Sequence, residues 1–148
     1  MRTLCERDFA ALADAFAQVQ ETADPLERIE QIGRIYIDFA VQHPNHYKLM
    51  FLTPAPVEPT AEVLGRQGGP RYDGYAALKT ALEEALASGC LRPDYQDLEL
   101  VAQTLWAGVH GVASLQIALD NDPGIAWRAL ATRSQMMTEL LLHGLVIN

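Results

Sequence analysis

Residues 98–120 have almost no side that could face water. Wound as a helix at 3.6 residues per turn, they put Leu98, Val101, Ala102, Leu105, Trp106, Val109, Val112, Ala113 and Ile117 on one broad apolar face. The opposite side is not polar either: Thr104, Ala107, Gly108, Gly111, Leu115 and Ala118 form a second strip of mostly small residues. Only Glu99, Gln103, His110 and Ser114 make a polar seam between the two. A helix that is apolar nearly all round must be covered on both sides. The chain has 148 residues, the size of one globular domain, so the second cover is expected from another chain. Each glycine in a helix interior costs about 1 kcal/mol against alanine, which implies a close approach of backbones. The neighbour is either a second copy or another helix of the same chain.

The segment that follows has a companion pattern. DNDPG ends the first helix, and a last helix is expected from 125 to about 145, with Trp127, Leu130, Ala131, Ser134, Met137, Thr138, Leu141 and Leu145 on one stripe. Paired, the two long helices offer half of a four-helix bundle that a two-fold axis would complete. The residues expected between two copies are Thr104, Gly108, Gly111, Leu115, Trp127, Leu130, Ser134, Met137 and Leu141.

The rest of the chain also reads as helix, making an all-α domain of about six helices over residues 1–148. Cys5, Phe9, Leu12, Phe16 and Val19 repeat at helical spacing over residues 3–21. A second helix starts at the D-x-x-E capping box of Asp24 and Glu27, with Pro25 in its first turn, and runs to about His43 before Pro44. HPNHYKLMF forms a short third helix, residues 53–70 hold four prolines and three glycines and read as a loop, and a fourth helix spans 72–88 before Gly89.

Composition narrows what such a domain can do. Eleven basic against nineteen acidic residues give a net charge of -8, the wrong sign for neutralising phosphates. No apolar run approaches the eighteen or so residues of a membrane span, and MRTLCERDF lacks the apolar core of a signal peptide. With only Cys5 and Cys90, far apart, the chain has no disulfide framework, and a cytoplasmic location is expected. No Glu-x-x-His pair, nucleophile elbow, phosphate loop or dinucleotide fingerprint occurs, so neither a metal, a cofactor nor an enzyme activity is expected.

His110 has two readings: a core imidazole bonded to a carbonyl or to Gln103 or Ser114, or a polar contact inside an apolar cavity. Two motifs bear on the choice. Trp106, Ala107, Gly108, Val109, His110 and Gly111 spell W-x-x-x-H-G, and DPLERIEQIGRIYIDFAVQHPNHYKLMF places Asp24, Arg28, Phe39, Ala40, His43, Pro44, Tyr47, Met50 and Phe51 ahead of it. Together they resemble the C-terminal domain of the TetR family of one-component transcriptional regulators, in the subgroup that carries the W-x-x-x-H-G motif.

The resemblance implies a homodimer through the last two helices and a cavity for a small, mainly apolar effector. On that reading the cavity is expected among Phe16, Tyr36, Phe39, Tyr47, Met50, Phe51, Tyr75, Trp106 and His110. It also implies a repressor in which the effector shifts two DNA-reading heads. That three-helix head should precede these residues, and Met1 stands about where the connecting helix would leave it, so DNA is a partner only through a missing helix-turn-helix. The alternative is a stand-alone, headless dimerisation module acting through protein contacts.

Overall fold

The computed structural model describes residues 4–19, 23–52 and 70–147. The expected loop at 53–69, the outer ends of the first helix and the side chains of Cys5 and Phe9 lie outside the described residues. Within them the chain is all-α, with α1 Leu4–Val19, α2 Pro25–Gln42, α3 Pro44–Tyr47, α4 Pro70–Ala87, α5 Leu98–Leu119 and α6 Leu130–Leu145. A π-helical turn, Lys48–Leu52, continues α3.

Local chemistry sets most of these boundaries. The Asp24 carboxylate accepts from the Leu26 amide at 3.0 Å, and Pro25 opens α2 without needing a partner for an N–H. Glu27 is not turned back to close the expected capping box; it accepts from Gln31 one turn on, at 3.5 Å. Gly89 adopts φ 79°, a conformation that costs glycine little, and Cys90 N–H closes the end of α4 on the Ala85 carbonyl at 3.1 Å. Asp97 caps α5 by accepting from the Leu100 amide at 3.2 Å.

One boundary differs from expectation. The last helix begins at Leu130, not near Ile125. Asp122 accepts from Gly124 N–H at 2.8 Å, which fixes a Pro-Gly turn, and the Trp127 indole donates to the Leu119 carbonyl at 2.8 Å. Residues 125–129 are thus drawn back over the end of α5, where they satisfy a carbonyl that the helix leaves open. Arg133 packs over the Trp127 ring, 4.8 Å from its centroid, and donates to the Arg128 carbonyl, which holds that segment in place.

The core lies around α2, which packs against α1, α4 and α5. Tyr47 and Leu82 are fully enclosed, and Phe16, Ile29, Ile32, Tyr36 and Leu105 are buried around them. Arg28 is buried too, its guanidinium paired with Glu84 to tie α2 to α4. At the far end Arg92 N–H donates to the Leu145 carbonyl and Ile147 N–H to the Cys90 carbonyl, both at 2.9 Å. This single antiparallel bridge, Leu91 to Val146, fixes the end of α6 against the connector before α5.

Candidate functional site

The packing leaves a partly open apolar space between α2, α4, α5 and α6. From α2 come Ile29, Ile32, Gly33 and Tyr36; α5 contributes Leu105, Trp106 and Val109. Gly74, Tyr75 and Leu78 of α4 and Met137, Thr138, Leu141 and Leu142 of α6 complete the walls, with Phe16 of α1 and Phe51 of the π-helical turn at the ends. The helical period explains this set, since positions three and four apart on each helix share the inward face.

The cavity has a volume of about 60 Å³, room for a few water molecules, whereas pockets for drug-sized ligands run to roughly 300 Å³ or more. A larger ligand must therefore push side chains apart. Met137 is the natural one to give way, since an unbranched thioether repacks readily.

Aromatic rings make one wall. The Tyr36 and Phe51 centroids are 4.9 Å apart, Tyr75 and Trp106 5.6 Å, and Phe51 meets Trp106 edge-on at 6.2 Å. The Tyr75 hydroxyl is turned to the Glu99 carboxylate, which also pairs with Lys79, so Tyr75 offers the cavity its ring and the solvent its polar end.

Behind that wall sits a buried polar cluster. Tyr36 Oη lies 3.0 Å from Tyr47 Oη and 2.9 Å from His110 Nδ1, and Tyr47 Oη lies 2.5 Å from the same nitrogen. With the imidazole protonated on Nε2, Tyr47 can donate to Nδ1 and Tyr36 to Tyr47, an arrangement that uses both phenolic protons. Burial raises the Tyr36 phenol to about 12, against a smaller opposing effect of hydrogen bonds from Tyr47 and Trp106. Burial also raises Tyr47 and lowers His110. All three groups are thereby held neutral near pH 7, and the cavity they back onto presents no charge.

This has a pH consequence. Since burial lowers the folded-state value of His110, the neutral ring contributes stability that is complete above the ordinary histidine range near 6.5 and is lost as pH falls below it, until the folded form protonates. Chemical denaturation of the wild type and His110→Gln between pH 7.5 and 5 is expected to show a steeper loss of stability in the wild type. Parallel curves would contradict a buried neutral imidazole.

The nine residues expected around the cavity divide. Phe16, Tyr36, Phe51, Tyr75 and Trp106 line it. Tyr47 and His110 stand behind Tyr36, so His110 is bonded to two tyrosines rather than to a carbonyl, Gln103 or Ser114. Ser114 instead donates to the His110 carbonyl, at 2.7 Å. Phe39 is packed on His43, with centroids 5.1 Å apart, and Met50 is buried outside the lining. Of the aliphatic walls, Ile29, Leu105 and Val109 were not expected at the cavity and Met137 and Leu141 were expected between two copies, because at helical spacing a cavity wall, a solid core and an interface look alike.

The residues expected between two copies divide as well. A Cβ on Gly108 would lie 2.7 Å from Leu141 Cδ1 and 3.1 Å from Met137 Sδ, so this glycine admits α6 of its own chain. Met137 and Leu141 face the cavity, Leu130 and Ser134 face α2 across a groove, and Trp127 caps α5. Thr104, Gly111 and Leu115 lie on the outer strip of α5, and among the described residues a Cβ on Gly111 would meet nothing within 4 Å beyond its own helix backbone. Leu100 (61% exposed) and Leu115 (44%) on that strip adjoin the outward face of α6, where Met136 (55%) and Leu140 (66%) stand. The result is an apolar surface over both long helices.

Among the described residues, no group of three or more His, Cys, Asp or Glu is placed to hold a metal ion, and no helix is long and apolar enough to cross a membrane.

Comparison with known proteins yields a family and a fold. A search of curated proteins finds no match. A solved structure from Rhodococcus sp. RHA1, described as a protein with unknown function, superposes with a TM-score of 0.74 over 97% of this chain and 72% of the other, at 21% identity. That likeness concerns the fold alone. The family model described as tetracyclin repressor-like, C-terminal domain, matches residues 29–133, from the first turns of α2 into α6. By that match, which includes the cavity's α2, α4 and α5 walls, the chain belongs to the tetracyclin repressor-like C-terminal domain family.

Proposed function

We propose that this chain is the effector-sensing and dimerisation domain of a cytoplasmic TetR-type repressor, in which a small, mainly apolar ligand governs DNA binding by a helix-turn-helix head outside these residues. The observation that carries the reading is the uncharged cavity walled by aromatic and aliphatic side chains from five helices. The family is one of regulators, and the site offers no nucleophile beside a base.

Helix α5 supports a way for the ligand to act. Its inner face supplies Leu105, Trp106 and Val109 to the cavity, and its outer strip carries the exposed apolar surface that a second copy would cover. A ligand that spreads the cavity must displace α5 or the helices opposite it, including α1 through Phe16. Displacement of α5 would change the angle between two copies. Coupling follows if the ligand prefers one angle over the other.

A ligand that binds only the folded state stabilises it by about 2.7 kcal/mol at one hundred times its Kd. For a domain of this size that is roughly 5–10 °C in Tm. A thermal screen of small apolar compounds, toluene and indole among them, is expected to give such shifts, with a change in Trp106 fluorescence. A screen in which nothing moves either signal would contradict the reading.

A further inference from the structure

The apolar cavity has a neighbour. Gly33 of α2 and Thr138 of α6 line it, and the same two residues line an open groove of about 480 Å³ between those helices. The chemistry changes across this seam. On the groove side stand Asp38 of α2 and Ser134 and Gln135 of α6, with Glu30 and Arg34 at its edge. Arg34 is tied to Glu30 one turn back at 3.5 Å, and Asp38 has no cationic partner among the described residues.

The seam is thin on one side because Gly33 has no side chain; a Cβ there would already sit 3.5 Å from Val109 Cγ2, a cavity wall. The inner space of about 60 Å³ cannot hold a long molecule, so the rest of such a molecule must lie outside it, and the seam at Gly33 and Thr138 is where a second space begins.

Resting on the reading that the cavity takes the effector, we infer that the α2–α6 groove is the outer half of the same site. The effector is then an elongated amphipath, with an apolar chain passing between Gly33 and Thr138 and an uncharged hydrogen-bonding head among Asp38, Ser134 and Gln135. An anionic head is disfavoured, because the groove holds two carboxylates and one guanidinium that is already paired.

Titration of the purified chain with butanol, decanol and decanoate, read by tryptophan fluorescence and melting, tests this directly. Affinity is expected to rise by up to about four-fold per methylene from butanol to decanol. Decanoate should bind about five-fold more weakly than decanol. Gly33→Leu and Thr138→Phe narrow the seam from opposite sides, and each should weaken decanol about ten-fold more than it weakens butanol, which meets the same altered wall. Circular dichroism identifies which variants are folded, and either one suffices. Butanol binding with no gain from a longer chain, decanoate equal to decanol, or folded seam variants that bind decanol normally would overturn the groove while leaving the cavity reading intact. Silence from every alcohol would overturn both.

Discussion

Replacing Leu115 and Leu140 together by glutamate is expected to convert the dimer proposed above into a folded monomer. Both side chains lie on the outward face of α5 and α6 and are exposed in a single chain, Leu140 more than Leu115, so their loss costs the monomer little. In a two-fold interface each substitution acts twice. Four lost leucine burials at about 1.5 kcal/mol each weaken association by about 6 kcal/mol, on the order of 10⁴-fold in Kd, before the cost of burying carboxylates is added. Size-exclusion chromatography with light scattering reads the mass, and circular dichroism checks that the monomer keeps its helices. An unchanged mass would place the interface elsewhere. Gly111→Leu offers a gentler version, since among the described residues nothing beyond its own helix backbone lies within 4 Å of its would-be Cβ, and a second copy would feel the added bulk.

The second large effect concerns Tyr47. It is fully enclosed, so Tyr47→Ala removes a whole ring from the core and is expected to lower the unfolding free energy by about 4 kcal/mol, a large part of the 5–15 kcal/mol typical of a domain. Tyr47→Phe keeps the ring. It also leaves Tyr36 Oη 2.9 Å from His110 Nδ1, able to donate there directly, so its cost should be about 1 kcal/mol. Urea denaturation of the two variants separates packing from hydrogen bonding. Equal losses would mean that the phenol cluster holds more of the stability than this geometry implies.

The helices were legible because their signals are local. Asp24 with Pro25, Pro44 after His43, and Gly89 after the fourth apolar stripe each act within one turn of the boundary they set. The start of α6 was not, because it depends on the Trp127 indole reaching eight residues back to the Leu119 carbonyl, which no periodicity records. The two-sided apolar character of α5 could be read from its wheel. Which helix meets Gly108 could not, since a gap for a backbone does not name its occupant.

The site shows the same division. Aromatic residues stand out by type, and five of them do line the cavity. His110 finds its partners 74 and 63 residues away, in Tyr36 and Tyr47, so their meeting is a product of the tertiary fold rather than of any motif. Gly33 gave no signal and Thr138 stood out only as part of the last helix's inward stripe, because each matters through the two spaces it separates.

Helix α5 is expected to lie between its own cavity and a second copy. Sedimentation equilibrium of the wild-type chain at micromolar concentration tests that arrangement directly. It is expected to give twice the 16.3 kDa of one chain. A single-chain mass at that concentration would contradict it.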